Sequence, residues 1–143
     1  MDIFKREITT FEQLRQVVRE ISNLFRPGMV VGLIGDLGSG KTTFVKEASK
    51  VLGVEEDVIS PTYIYEQRYP TKNKNISILR HMDLYRLKND HDIEELDLLY
   101  VKPQEIIFIE WIERSDKFKD LADIIITFSV SEKERFVEIV KRK

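Results

Sequence analysis

Hydrophobic residues follow two different spacings along this chain, and each spacing predicts a type of element. Nearly uninterrupted apolar runs at residues 29–34 and 106–109 predict strands buried on both faces, the second extending over residues 105–111. Apolar residues three and four positions apart predict two amphipathic helices. The first has Phe11, Leu14, Val17, Val18, Ile21, Leu24 and Phe25 on its apolar face, and the second has Phe44, Val45, Ala48, Val51 and Leu52.

The ends of the two helices are marked by residues with specific roles. Thr10 stands three residues before Gln13, which is the spacing of a capping box that begins a helix. Pro27 and Gly28 are placed to end the first helix, and Gly53 is placed to end the second. Both helices therefore have predicted boundaries, and the second begins directly after a glycine-rich segment.

Shorter segments complete the predicted architecture. They are an edge strand at residues 5–9, a hairpin of residues 63–69 and 76–83, a short helix at residues 92–99 capped by Asp92, another at residues 116–121, and a closing hairpin of residues 124–128 and 136–140. We expect a mixed sheet with a parallel core, antiparallel strands at its edges and helices on its faces.

Composition narrows the class of protein. The chain has 143 residues, no cysteine and a net charge of −2 at pH 7. Its length predicts a single domain over residues 1–143, and the lack of cysteine excludes disulfides and thiolate metal sites. Direct capture of nucleic acid is not expected, because lysine and arginine are not clustered. Neither a signal peptide nor a membrane-spanning run is evident, so we expect a cytoplasmic protein without membrane contact.

Residues 35–42 carry the most specific motif. Their sequence, Gly-Asp-Leu-Gly-Ser-Gly-Lys-Thr, fits the phosphate-binding loop G-x-x-x-x-G-K-[ST], and it stands between a predicted strand and a predicted helix, as this motif requires. In such a loop the backbone N–H groups face phosphate oxygens, Lys41 reaches the outer phosphates and the Thr42 hydroxyl ligates Mg²⁺. We predict a nucleoside-triphosphate-binding protein with a P-loop NTPase-like, three-layer α/β fold. The candidate binding residues here are Asp36, Leu37, Gly38, Ser39, Gly40, Lys41, Thr42 and Thr43.

Two acidic residues follow apolar strands. Glu110 ends the strand at residues 105–111, and Asp83 ends the second strand of the first hairpin. In open α/β sheets the ligand lies beyond the C-terminal ends of the strands, so both acids are candidates for the Mg²⁺ site. The alternative is that either is an ordinary surface carboxylate. Asp36, inside the loop, either orients water or acts as a helix-cap or turn residue.

Further residues bear on the nucleotide and the chemistry. His81 shares a face with Asp83 and is interpreted as structural, whereas His91 lies in a polar loop and is expected to be solvated. Residues 73–76 lack the aspartate of the N-K-x-D motif that accompanies GTP specificity, which favours ATP. The chain also lacks an arginine-rich lid of the kind that small-molecule kinases use.

Four motifs together resemble one protein family. They are the loop and its continuation at residues 35–44, Ser-Pro-Thr-Tyr at 60–63, His-Met-Asp-Leu-Tyr-Arg-Leu at 81–87 and Glu-Trp at 110–111. In order and spacing they resemble the TsaE (YjeE) family of bacterial ATPases, which are required for threonylcarbamoyladenosine modification of tRNA. These motifs span over half of the chain.

The resemblance implies roles for individual residues. By resemblance the catalytic residues are Lys41, Asp83 and Glu110, and the Mg²⁺ ligands are Thr42, Glu110 and Asp83. The nucleotide is ATP, and the loop amides bind its phosphates. Thr62 senses the γ-phosphate side, and Trp111 lies beside the nucleotide.

The resemblance also implies partners. Family members bind a complex of the TsaD and TsaB proteins, and tRNA is contacted only indirectly through that complex. The chain departs from the family pattern at Ile112, where proline is usual, and near Leu14, where a threonine is common. The second departure leaves open which residues around Thr10 and Gln13 contact adenine.

Two functions are weighed against each other. One is the partner-dependent ATPase of tRNA modification, and the other is a small kinase that transfers phosphate to a metabolite. The missing lid and the four motifs favour the first. A short domain leaves its nucleotide face open, so hydrolysis by the chain alone is expected to be slow. Arg86 and Arg114 are the candidates within the chain to complete the charge clamp, once a partner orders them.

Overall fold

The computed structural model describes residues 2–59, 66–88 and 100–142. Its strands are β1 (Asp2–Glu7), β2 (Met29–Ile34), β3 (Glu66–Pro70), β4 (Ile78–Asp83), β5 (Glu105–Glu110), β6 (Ile124–Ser131) and β7 (Glu134–Lys141). Its helices are α1 (Phe11–Ser22), α2 (Lys41–Val51) and α3 (Asp116–Leu121), with a 3₁₀ turn, η1, at Ile112–Arg114.

The seven strands found in the described ranges belong to one mixed sheet in the order β1-β7-β6-β2-β5-β4-β3. Strand β2 is parallel to both β5 and β6, and β5 is also parallel to β4. The β3–β4, β6–β7 and β1–β7 pairs are antiparallel. The predicted mixed sheet with a parallel core and antiparallel edges is therefore confirmed.

Strand β5 shows how the sheet separates two hydrophobic cores. All six of its residues are buried. Ile106 and Phe108 belong to the core beneath α1 and α2, whereas Ile107 and Ile109 belong to the core beneath η1 and α3. Because successive strand residues face opposite sides, a strand covered on both faces reads as an uninterrupted apolar run. The three-layer α/β arrangement follows from these two cores.

The first helix begins as its capping box predicts. The Thr10 hydroxyl accepts a hydrogen bond from the Gln13 backbone N–H at 3.1 Å, and the Gln13 side chain accepts one from the Thr10 N–H at 2.9 Å. The helix ends at Ser22, before Pro27. Phe11 is 52% exposed because it occupies the first turn, where the helix has not yet reached the sheet.

Besides Phe11, which was predicted on the apolar face of the first helix, Val51 and the bounds of the first strand also differ from the sequence expectations. Val51 is 46% exposed, because it is the last residue of α2 and lies at the outer rim of the predicted apolar face. The first strand runs over Asp2–Glu7 instead of residues 5–9. The Ile8 N–H still donates to the Arg135 carbonyl at 2.8 Å, and the strand ends there because the chain bends at Thr9 and Thr10 to form the cap of α1.

A buried ion cluster holds the far edge of the sheet together. Arg80 on β4 is fully buried, and its guanidinium lies 2.6 Å from Glu66 of β3 and 3.5 Å from Glu105 of β5. It also donates to the Tyr100 carbonyl at 2.7 Å. Several oxygen partners make this buried charge tolerable, and removing one of them would be strongly destabilising.

The remaining predicted elements have different outcomes. The helix at residues 116–121 is confirmed, and both hairpins are confirmed in the part of the chain that the structure describes. The helix at residues 92–99, His91 and Thr62 lie outside the described residues. Within the described ranges, no helix combines the length and the apolar character that crossing a membrane requires.

Candidate functional site

The loop between β2 and α2 leads directly into the N-terminus of a helix. Gly38 and Gly40 have positive φ angles of 76° and 108°, which glycine adopts without strain. Gly40 is the N-cap of α2, and because glycine has no side chain it cannot accept a hydrogen bond from the first helical N–H groups. The first-turn N–H groups and the helix dipole therefore remain available to an anion.

Lys41 is held at the mouth of this loop. The residue is 5% exposed, and its ammonium donates hydrogen bonds to the carbonyl oxygens of Gly35 and, at 2.9 Å, of Asp36. The ammonium also lies 4.3 Å from the centre of the Trp111 ring. Burial lowers the pKa of Lys41, and nearby carboxylates, Glu110 foremost, oppose that shift. The site thus contains a concentrated positive charge among oxygen atoms and an aromatic face.

Thr42 and Glu110 meet directly across the loop. The Thr42 hydroxyl lies 2.9 Å from each oxygen of the Glu110 carboxylate. They come together because β2 and β5 are parallel neighbours, so the helix that follows β2 begins beside the end of β5. A hydroxyl and a carboxylate are hard oxygen donors of the kind that Mg²⁺ binds together with phosphate oxygens.

Asp83 lies next to Glu110 at the same edge of the sheet. The two residues are register partners on the parallel strands β4 and β5. One Asp83 oxygen accepts a hydrogen bond from the Tyr85 N–H at 2.9 Å. Burial raises the pKa of Asp83, and the negative charge of Glu110 raises it further. Both predicted acids therefore lie at the loop, as their strand-end positions indicated.

The backbone turns sharply after Glu110. Trp111 has a positive φ of 59°, an uncommon conformation for a residue with a side chain. It places the indole against Lys41, and the Arg114 guanidinium stacks 5.5 Å from the same ring and 5.3 Å from the ring of Tyr85. Ile112, the departure from the family pattern, is fully buried and packs in the core beneath η1 and α3.

Comparison with known proteins decides the family. The family model described as "Threonylcarbamoyl adenosine biosynthesis protein TsaE" matches residues 8–139. This chain belongs to the TsaE family. The resemblance drawn from the four motifs is therefore confirmed, and it extends over nearly the whole chain.

Curated relatives carry the same family name. The chain is 38% identical to the tRNA threonylcarbamoyladenosine biosynthesis protein TsaE of Rickettsia felis, over 71% of this chain and 58% of that protein. It is 32% identical to the protein of that name from Haemophilus influenzae, over 78% of this chain and 70% of that protein. It is 35% identical to the Bacillus subtilis protein of that name, over 70% of this chain and 61% of that protein. The chain thus spans less than two thirds of the Rickettsia felis and Bacillus subtilis proteins.

A solved structure supports the fold. The crystal structure of YdiB from Bacillus subtilis superimposes with a TM-score of 0.68 at 22% identity, covering 98% of this chain and 86% of that chain. This likeness concerns the fold, and the site must be judged from this chain's own residues.

In this member of the TsaE family, most of the predicted site residues line one cleft of about 220 Å³, with the exception of Asp36, Ser39 and Thr62, the last of which lies outside the described residues. Its lining consists of residues 37–38 and 40–43, with Asp83, Glu110, Trp111 and Arg135. Ser39 is buried and lines the neighbouring pocket, whereas Asp36 is exposed and contributes its carbonyl to Lys41. Arg86 is not among the lining residues that the structure describes.

Arg135 is a site residue that sequence reasoning missed. It is the second residue of β7, and its backbone forms hydrogen bonds to the β1–α1 connection, including its N–H to the Thr9 hydroxyl at 2.9 Å. It lines both the loop cleft and a second pocket of about 150 Å³ that also contains Thr10, Leu14 and Thr43. No local motif marks Arg135, because only the strand order brings it to the loop.

Proposed function

We propose that this chain binds ATP with Mg²⁺ and hydrolyses it as a component of the machinery that makes threonylcarbamoyladenosine in tRNA. The observation that carries the proposal is the 2.9 Å contact between the Thr42 hydroxyl and the Glu110 carboxylate at the N-terminus of α2. A phosphate-binding loop needs a hydroxyl and an acid at this place to hold the metal. Family membership supports the biological role.

The residues fit a magnesium ion in composition and position. Thr42 and Glu110 would hold it, and Asp83 stands beside them on the next strand. Such sites use one or two carboxylates, and the remaining ligands are phosphate oxygens and water. When bound there, Mg²⁺ would supply positive charge to neutralise the phosphate oxygens.

For hydrolysis, the chain then has two tasks: to position ATP and water, and to neutralise the negative charge on the phosphoryl group. A water oxygen forms a bond to the γ-phosphorus, the bond from phosphorus to the β–γ bridging oxygen breaks, and ADP, inorganic phosphate and a proton leave. Lys41 and the N–H groups at the start of α2 would balance the charge on the transferred phosphoryl group. Asp83, whose carboxylate accepts a hydrogen bond from the Tyr85 N–H, would orient the attacking water.

The second pocket is our candidate for the nucleoside. It adjoins the loop at Gly40 and Thr43 and extends to the start of α1. Thr10 lines it, whereas the Gln13 side chain is occupied in the capping box and does not. We propose that the adenosine end of ATP lies on the surface formed by Thr10, Leu14 and Arg135.

Partner dependence is also proposed. The cleft is an open surface site, and Arg114 is stacked on Tyr85 and Trp111. Among the described residues that line the cleft, the arginine is Arg135, which is exposed. Phosphoryl-transfer sites without an arginine held at the transferred group are typically slower by about a thousandfold or more. Docking on TsaD and TsaB, the partners implied by the family resemblance, would complete the site. Contact with tRNA would then be indirect.

One experiment separates hydrolysis from the alternative of a small metabolite kinase. ATP labelled on its γ-phosphate is incubated with the chain, Mg²⁺ and a small-molecule extract, and the labelled products are separated. An ATPase yields labelled inorganic phosphate alone. A labelled small molecule that disappears with Lys41→Ala would instead establish a kinase.

A further inference from the structure

We propose that His81 is a positioning residue that holds the Glu110 carboxylate toward Thr42 and the metal. The inference rests on the proposed function, because it identifies what orients the proposed metal ligand. Nε2 of His81 lies 2.5 Å from Oε2 of Glu110. The same carboxylate accepts the Thr42 hydroxyl at 2.9 Å. The three side chains form one line of hydrogen bonds from β4 across β5 to α2.

The position of the proton follows from this contact. Two bare acceptor atoms would repel each other at 2.5 Å, so Nε2 carries a hydrogen and donates it to Glu110. Nδ1 is buried and has no hydrogen-bond partner in the part of the chain that the structure describes. The Nε2–H group is therefore the donor through which the ring can hold the Glu110 carboxylate.

The strand register brings the ring to the carboxylate. His81 lies two residues before Asp83 on β4, so both side chains face the same side of the sheet. Its register partner on β5 is Phe108, two residues before Glu110. The imidazole thus lies two residues closer to the N-terminal ends of the strands than Asp83 and Glu110, beneath the cleft. In this position it contacts Glu110 while remaining fully buried.

A histidine that only packed in the hydrophobic core would not need this hydrogen bond. The side chains of His81 and Glu110 are 0% and 3% exposed, so water cannot replace a lost donor easily. Without the ring N–H, the carboxylate could rotate away from Thr42. Groups that hydrogen-bond a metal ligand typically change metal affinity or activity by about 10–100-fold when removed.

The test compares His81→Gln with His81→Asn. Glutamine can place an amide N–H near the position of Nε2, whereas asparagine reaches only as far as Nδ1, so the two amides differ in reach and not in chemistry. ATP affinity is measured by calorimetry across a range of Mg²⁺ concentrations and in EDTA. We expect the Mg²⁺ concentration that gives half of the maximal increase in ATP affinity to be about 10–100-fold higher for His81→Asn than for the wild type. His81→Gln should retain the wild-type requirement, and affinity in EDTA should be unchanged in both variants.

Each outcome decides the matter. His81→Phe keeps a ring of similar size without the N–H and should behave like His81→Asn, so the result does not depend on one variant folding. A purely structural histidine would lower the melting temperatures and leave the Mg²⁺ requirement unchanged, which would overturn the inference. An equal increase in the Mg²⁺ requirement for the Gln and Asn variants would overturn it as well. Failure of the wild-type chain to bind ATP at all would instead refute the proposed function.

Discussion

The Thr42 hydroxyl lies 2.9 Å from both carboxylate oxygens of Glu110, and this contact joins the first turn of α2 to the C-terminal end of β5. The parallel pairing of β2 and β5 produces it, because the end of one strand then adjoins the helix that follows the other. The metal half of the proposed site is therefore a consequence of sheet topology.

Glu110→Gln should separate hydrolysis from binding. The amide keeps the size of the side chain and can still accept from Thr42, but it lacks the charge that would hold Mg²⁺ in the proposed site. We expect phosphate release to fall by about 100-fold or more, because charge stabilisation is lost in the transition state. Nucleotide affinity in EDTA should stay near the wild-type value. The exposed Asp120→Asn is the matched control, and full turnover by Glu110→Gln would remove this residue from the mechanism.

Lys41→Ala should weaken ATP binding without unfolding the chain. The ammonium contacts loop carbonyls and the Trp111 ring, and burial already disfavours its charge. Loss of a charged hydrogen-bond donor to phosphate typically weakens binding by about 10–100-fold. Calorimetry with ATP gives the affinity, and thermal unfolding checks the fold. Lys46→Ala, exposed on the same helix, controls for the loss of a lysine, and equal affinity in both variants would contradict the assignment.

Arg135→Gln should weaken the binding of ATP more than that of adenosine. Arg135 lines both the loop cleft and the neighbouring pocket, so its guanidinium can reach phosphate oxygens. Since it is exposed, the expected loss is modest, roughly two- to fivefold. Lys133→Gln removes the same charge from the same hairpin without touching the cleft. If the two variants lose the same affinity, the effect is one of net charge alone.

Asp83→Asn should stabilise the folded chain while it removes hydrolysis. Burial, with the charge of Glu110 added, raises the pKa of Asp83. Between the ordinary and the raised pKa the folded chain binds more protons than the unfolded chain, so stability falls as pH rises through that interval, and the loss is complete above it. The asparagine oxygen can still accept from the Tyr85 N–H.

The measurement is thermal unfolding in EDTA over a range of pH. We expect Asp83→Asn to melt at a higher temperature than the wild type near neutral pH. The difference should vanish below about pH 4, where the carboxyl is protonated in both states. If Asp83→Asn melts at a lower temperature than the wild type at neutral pH, the ionised Asp83 carboxylate does not destabilise the folded chain.

Local patterns were sufficient for much of this fold. The strand, loop and helix around residues 29–51 are contiguous, so the motif and the apolar spacing predicted them together. The capping box at Thr10 and the closing hairpin are also local. Glu110 and Asp83 were predicted because an acid at the end of a buried strand faces the ligand edge of the sheet.

What the sequence could not show depends on contacts between distant residues. Arg135 reaches the loop because β6 and β7 lie between β1 and β2 in the sheet, and no short motif records that order. The contact of His81 with Glu110 depends on the register of β4 against β5. The ion cluster of Arg80 requires three strands to be adjacent. Val51 was misplaced because helical spacing does not reveal where a helix leaves the core.

Steady-state phosphate release from ATP, measured for this chain with Mg²⁺ in the presence and absence of purified TsaD and TsaB, tests the central proposal most directly. We expect slow release by the chain alone, a clear increase when the partners are added, and no increase with Glu110→Gln. Equal rates with and without the partners would contradict the partner-dependent ATPase, and so would release that is unaffected by loss of the Glu110 carboxylate.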